Sequence, residues 1–221
     1  MPRESKAAKA QRAREISRRL RERYPNECAL EFSNPWELLV ATILSAQCTD
    51  ERVNQVTADL FIKYPTVADY ASADPEQFSA DIYSTGFYRN KTKSILGAAG
   101  ELLERFDGEV PPSMEQMLTL PGVARKTANV VLGTGFGIPS GIAVDTHVTR
   151  LALRMGLTSA QKTKTINTDR IEQDLMEVLP AEEWVHFGHA MIWHGRRVCD
   201  ARRPQCEGCP VDDLCPRRGV K

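Results

Sequence analysis

The sequence predicts an all-α fold. Apolar residues recur at spacings of three and four along most of the chain, and almost nowhere alternate with the period of two expected of a strand. Helix starts are marked by short polar residues ahead of proline, and Gly and Pro punctuate the intervals between them. With 221 residues and 42% hydrophobic content, the chain can fill one large core or two small ones without crosslinks.

In chain order, Asn34 before Pro35 opens a helix burying Trp36, Leu39, Val40 and Ile43. Asp50 is expected to cap a helix carrying Val53, Val56 and Leu60, and Asp74 before Pro75 to open one burying Phe78 and Ile82. Further helices fit 91–106 (Ile95, Ala99, Leu102, Phe106), 113–119, 125–132, 146–155, 169–179 and 182–193. The run GTGFGIPSG at 133–141 is the strongest break in the middle of the chain and could separate two helical lobes.

Composition removes several function classes. No apolar run approaches the roughly 18–20 residues that cross a bilayer, and the start MPRESKAAKAQRAREISRRL has no apolar stretch for secretion, so a cytoplasmic protein is expected. An organelle transit peptide would share the arginines, but Glu4, Glu15 and Glu22 argue against one. The formal charge is zero, yet residues 1–24 hold nine Lys or Arg against three acids, and residues 196–221 seven against four. Basic ends on a neutral chain fit a local phosphate-binding face, or equally the solvated surfaces of helices.

Four of the six cysteines, Cys199, Cys206, Cys209 and Cys215, form a C-x6-C-x2-C-x5-C tail. Four thiolates this close point to a metal site, and a reducing compartment disfavours disulfides. The choice is zinc or an iron–sulfur cluster; a single tight pair with long flanking loops favours the cluster. Cys28 and Cys48 read as small buried hydrophobes.

In LTLPGVARKTANVVL, 118–132, a Pro121-Gly122 turn separates two helices. The amides at the start of the second helix, with the positive end of its dipole, suit a phosphate and grip DNA regardless of sequence. Lys126 falls in that helix's first turn; a lysine nucleophile needs burial or a positive dipole to supply its free amine, although most lysines at such positions are simply exposed. Asp145, in AVDTHV, follows apolar Ile142-Ala143-Val144 and precedes a helix, where an Asp caps the first turn and, still ionised, can stabilise positive charge or accept a proton. His147, His186, His189 and His194 show no metal spacing of their own and read as structural or interfacial.

Taken together and in order, SAQCTD at 45–50, LPGVARKTANVV at 120–131, AVDTHV at 143–148, HGRRVC at 194–199 and the cysteine tail resemble the endonuclease III family, helix-hairpin-helix glycosylases and AP lyases of base excision repair. The resemblance runs from about Pro35 to Cys215. It implies a two-lobed helical fold with DNA in the cleft between the lobes. A six-helix domain, 28–137, with its helix-hairpin-helix at 113–132, would be inserted between 1–27 and 138–221, which form an iron–sulfur cluster domain. The resemblance further implies a [4Fe-4S] cluster on the four tail cysteines, and a cytoplasmic, nucleoid-associated monomer acting on double-stranded DNA with a damaged base or abasic site, oxidised pyrimidines being the family's substrate.

By position, Lys126 would attack C1′, expel the base and form a Schiff base, from which β-elimination cuts the strand 3′ to the lesion; Asp145 would assist attack and base departure. A base must leave the duplex to be reached. Gln47 would fill the gap, Phe87 would wedge from the other strand's side, Gly122, Ala124, Arg125 and Thr127 would hold the backbone at the hairpin, and Arg202 and Arg203 would contact phosphate from the cysteine loop. Without the resemblance, Gln47 would read as a helix-end cap and Phe87 as a core aromatic. Two residues depart from the family's pattern: Phe87 replaces a smaller aliphatic, and Ala124 stands where the hairpin has its second glycine, which would strain the turn if a positive φ were needed there.

Four neighbouring readings compete. A mismatch adenine glycosylase shares the scaffold but lacks a lysine at the position of Lys126, whereas a pyrimidine-dimer glycosylase would keep both Lys126 and Asp145. A purely DNA-binding protein would need neither residue, and a zinc-bearing helical adaptor would differ in its metal.

Overall fold

The computed structural model describes residues 4–24, 28–160 and 166–220. These residues are helical throughout their regular structure, as the periodicity predicts, and no helix among them is long and apolar enough to cross a membrane. The chain separates into two compact units, Cys28–Ser140 and Met1–Glu27 with Gly141–Lys221. The expected boundary at residue 27 lies outside the described residues.

The Cys28–Ser140 unit is organised around a helix that is apolar on all sides. α2 (Pro35–Leu44) buries eight of its ten residues, and a helix without a polar face must be enclosed. Asn34 opens it as expected, accepting from the Glu37 N–H at 2.9 Å, with Pro35 in the first turn where its missing donor costs nothing. The carboxylate of Glu37 accepts from the Ser33 N–H, so the entry to α2 is satisfied from both directions. Against α2 pack α3 (Asp50–Lys63), α6 (Tyr88–Arg105) and α8 (Arg125–Val130).

Between them lie α4 (Val67–Ala71), α5 (Pro75–Asp81) and α7 (Met114–Met117). Trp36, Tyr64, Tyr70 and Phe78 join α2 to the α3–α5 segment as an aromatic cluster with centroids 5.1–5.7 Å apart.

Several local expectations are corrected. Thr49, not Asp50, caps α3, accepting from the Arg52 N–H at 3.3 Å; Asp50 sits one residue inside, where a carboxylate still complements the helix dipole. α6 starts three residues earlier than predicted, at Tyr88, because the chain turns left-handed at Phe87 and the Asn90 and Lys91 amides close onto the Phe87 carbonyl. α8 does not run to Leu132: the backbone widens into a π-turn at Val131–Gly135. Gly135 there meets α2 so closely that a Cβ would lie 3.3 Å from the Leu38 side chain.

The turn before α8 is fixed by close approach. Gly122 has φ +76°, and a Cβ on it would fall 2.4 Å from the Ser94 Cβ on α6, while Pro121 packs over Gly97 of the same helix. Ala124, by contrast, has φ −93° and ψ 168°, extended backbone that any residue adopts, so the strain considered for it does not arise.

The second unit comprises α1 (Lys6–Arg23), α9 (Thr146–Arg154), α10 (Thr168–Met176) and α11 (Trp184–Arg197), followed by the cysteine tail. α1 packs on α11, and α11 on α9. The polar α1 buries only a narrow stripe, Ala13, Ile16, Ser17 and Leu20. Two of its arginines reach other parts of the unit: Arg12 donates to the carbonyls of Met155 and Leu214 at 2.7 and 3.0 Å, and Arg19 to Pro210 and Asp213. α11 continues four residues past its expected end, through the HGRR segment, because Gly195 lets α9 cross it; a Cβ there would lie 2.8 Å from the ring of His147. α10 ends at Met176, before its expected limit.

Replacing Gly122 by Ala combines a left-handed backbone with a steric clash and should cost about 2–4 kcal/mol in denaturant unfolding. Adding Ser94→Gly should recover part of that loss by removing the clash; no recovery would assign the cost to the backbone alone.

Candidate functional site

In the Cys28–Ser140 unit the hairpin is anchored through buried Leu120 and Val123, whose N–H donates to the Leu120 carbonyl at 3.2 Å, while Gly122, Ala124 and Lys126 are exposed. Ala124 occupies the N-cap of α8 but offers no side-chain acceptor, so no N-cap side chain claims the amides of the first turn. Lys126 stands in that turn, with half-buried Arg125 and Thr127 on either side.

The same unit carries two exposed tips. Gln47 lies in the link from α2 to α3 with φ 54°, and Phe87 precedes α6 with φ 50°. Side chains rarely adopt this left-handed region, and Phe87 is 61% exposed, which excludes its reading as a core aromatic. Cys28 and Cys48 are only half-buried against this unit's core.

In the other unit Asp145 caps α9, its Oδ1 accepting from the Val148 N–H at 2.8 Å, with Ile142 and Val144 buried to hold the approach. Two residues on, His147 shares a hydrogen bond with Arg150 at 3.1 Å, and burial pushes its pKa down despite the nearby Asp145 carboxylate. Arg150 donates to the carbonyls of Gly195 and Cys199, and Arg154 to those of Cys199, Asp200 and Ala201. This guanidinium pair at i and i+4 was legible in TRLALR but its role was not.

Cys199, Cys206, Cys209 and Cys215 line one cavity with Arg154, His194 and Val211, and none forms a disulfide. Arg154 Nη1 donates to Cys199 Sγ at 3.3 Å, Cys215 Sγ donates to the Arg154 carbonyl at 3.7 Å, and Cys209 Sγ shares a hydrogen bond with His194 Nε2 at 3.5 Å. Burial pushes the Cys209 thiol up to about 11 and raises that of Cys215; it also lowers His194 to about 4, whose Nδ1 bonds Tyr24 Oη at 3.0 Å. Among the described residues no three His, Cys, Asp or Glu side chains are grouped to hold a single metal ion. In the loop between Cys199 and Cys206, Asp200 accepts from the Arg202 and Arg203 amides at 2.8 and 3.0 Å, which lowers its pKa and leaves both guanidinium side chains exposed.

Lys126, Gln47 and Phe87 thus belong to one unit, and Asp145, the four cysteines, Arg202 and Arg203 to the other.

Residues 40–181 match the family described as HhH-GPD superfamily base excision DNA repair protein. The chain is 54% identical over 211 residues to endonuclease III of Synechocystis sp., covering 95% of this chain and 94% of that one. It belongs to the endonuclease III family. Endonuclease III of Escherichia coli K12 is 43% identical over 202 residues, covering 91% and 93% of the two chains. A solved structure of a trapped endonuclease III–DNA covalent intermediate, an estranged-adenine complex, superimposes with TM-score 0.86 at 42% identity, covering 94% of this chain and 96% of that one.

Family membership assigns the helical fold and the base-excision role, whereas the Asp145 cap can be tested apart from any chemistry. Asp145→Ala should lower unfolding stability by about 1 kcal/mol, and Asp145→Asn, which keeps the acceptor, by less than about 0.5 kcal/mol. Equal losses for both would show that the carboxylate charge, not the cap, holds the start of α9.

Proposed function

We propose that this protein is a monomeric bifunctional DNA glycosylase and AP lyase that removes oxidised pyrimidines from duplex DNA, with Lys126 as its nucleophile. The observation that carries the reading is the hairpin: a glycine turn locked against α6, and a lysine exposed in the first turn of the uncapped helix that follows. The trapped covalent intermediate of the related structure supports a covalent route.

In the proposed sequence the Lys126 amine attacks C1′ of the extruded nucleotide. The N–C1′ bond forms as the glycosidic bond breaks, and the base leaves with its bonding electrons and is protonated. Opening of the sugar ring gives the Schiff base. Loss of a C2′ proton then expels the 3′ phosphate, cutting the strand 3′ to the lesion, and water releases the lysine. Asp145, held at a helix start by the Val148 amide, offers a fixed carboxylate to offset positive charge on the sugar and to take the proton shed by the attacking amine. Gln47 and Phe87 fill the space left in the stack. Gly122, Ala124, Arg125 and Thr127 grip the backbone at the hairpin, and Arg202 and Arg203 do so from the cysteine loop.

The four tail cysteines are proposed to hold a [4Fe-4S] cluster. The donor set fits: four thiols share one cavity, Arg154 supplies a cationic donor to one sulfur, and burial keeps Cys209 and Cys215 protonated until a metal displaces the protons. The spacing of the tail, one tight Cys206–Cys209 pair between longer loops, favours such a cluster over zinc. When bound, the cluster supplies four metal–sulfur crosslinks that order the tail.

Borohydride added to the protein with a duplex bearing one thymine glycol or one abasic site should trap a covalent adduct in the wild type and none with Lys126→Ala. No wild-type adduct on either substrate, despite measurable binding, would overturn the bifunctional mechanism. Asp145→Asn should lower turnover by about a hundredfold or more while remaining folded.

Metal analysis of the purified protein should give about four irons with inorganic sulfide. Stoichiometric zinc in place of iron would overturn the cluster assignment.

A further inference from the structure

Lys91 is a buried amine that the proposed chemistry leaves unused. It lies in the first turn of α6, 4% exposed, and its ammonium donates at 2.8 Å to the carbonyl of Leu44 and at 2.8 Å to that of Thr85. Leu44 is the last residue of α2, and Thr85 the last of a 3-10 turn, Tyr83–Thr85. Carbonyls at helix ends lack intrahelical partners and carry the negative end of the dipole, so a cation between two of them satisfies both. Desolvation works against the charge, lowering the lysine's pKa, which leaves these carbonyls as the reason for an amine in this position.

The two carbonyls have one further thing in common. Three residues beyond Leu44 stands Gln47, and two residues beyond Thr85 stands Phe87, the two exposed tips with left-handed backbone. The Lys91 N–H also donates to the Phe87 carbonyl at 3.2 Å. Left-handed non-glycine residues persist only where their surroundings over-determine them. Here the segments leading into two such residues, distant in sequence, are tied to one ammonium.

We infer that Lys91 is the positioning residue that sets the spacing of the two tips, so that Gln47 and Phe87 enter the base stack in register when a nucleotide is extruded. The inference rests on the reading of those two residues as gap filler and wedge. An apolar side chain of similar length would fill the same volume but leave both end carbonyls without a donor and each tip free to relax separately.

The full-length protein, with its bound metal, would be titrated into a duplex carrying 2-aminopurine beside a non-cleavable abasic analogue, and the fluorescence rise read as extrusion. Lys91→Met should lose most of that rise, and its kcat on a thymine glycol duplex should fall about tenfold to a hundredfold. Lys91→Arg, which keeps the donors, should restore much of both. Cleavage of an abasic site in a single strand, where no stack must be opened, should stay within about twofold of wild type for both variants. Adding Lys91→Met to the pair Gln47→Ala and Phe87→Ala should cost nothing further, because its effect passes through them. Should Lys91→Met not fold, Lys91→Leu, which also lacks a donor, serves in its place, and full extrusion with it overturns the inference. An equal loss on single-stranded DNA, or an added loss in the tipless background, overturns it as well. If the tipless pair extrudes like wild type, the gap-filling reading falls and this inference with it; if that pair fails while Lys91→Met extrudes normally, this inference falls alone.

Discussion

Burying α2 on every side constrains the rest of the Cys28–Ser140 unit. A helix with no solvent-facing stripe can present polar backbone only at its two ends, so those ends must be satisfied by design and are the only places where it can reach a surface. At the N-terminus Asn34 and Glu37 close the first turn, and Gly135 supplies the smooth surface on which that turn rests. At the C-terminus the Ser45 hydroxyl and the Lys91 ammonium take the last carbonyls, and the chain then turns left-handed into the exposed tip at Gln47. The enclosure of the core thus fixes the point at which the exposed Gln47 side chain emerges.

The cysteine-bearing unit meets a different problem. From Val198 to Cys215 its only fully buried apolar side chain is Val211, too little to hold an irregular segment against its conformational entropy. Guanidinium groups make up part of the deficit: Arg150 and Arg154 take three successive carbonyls of the loop after Cys199, Arg12 takes the Leu214 carbonyl, and Arg19 that of Pro210. Two of the basic residues of the N-terminal helix, Arg12 and Arg19, which in composition could have marked a phosphate-binding face, are staples of this tail. Such hydrogen bonds at part-exposed positions are worth about 1–3 kcal/mol each at most, and the cluster proposed on the four cysteines would add metal–thiolate bonds to them.

Where one interaction decides the conformation, the sequence was readable. Asn34-Pro35, Asp74-Pro75 and Asp145 all open helices where a short polar side chain must accept an amide, and they do. Thr49-Asp50 misled because two adjacent residues can both cap, and only the backbone decides between them. α1 escaped notice because its buried stripe is two or three residues wide among charges, and the π-turn at Val131–Gly135 because a widened turn keeps the apolar pattern of a regular helix. The site motifs were spelled out in full, but their conformational state was not. Nothing in GFYRNK tells that Phe87 is exposed in a left-handed backbone, or that Lys91, of a residue type almost never buried, lies inside.

The two departures from the family's pattern therefore carry different weight. Ala124 sits in extended backbone, so its methyl group imposes no dihedral cost, and the hairpin's defining close contact falls on Gly122, which is retained. Phe87 does bear a cost, since a left-handed conformation is worth about 1–2 kcal/mol against an L-residue. Stacking of one aromatic ring on a base returns about 1–3 kcal/mol, so in the proposed role the strain is offset only in the DNA-bound state and is stored in the free protein. A smaller aliphatic at the same position would bear similar strain with less stacking to offset it. In that role the substitution should act on how firmly the neighbouring strand is engaged, leaving the proposed phosphate grip at the hairpin and the proposed reactivity of Lys126 unchanged.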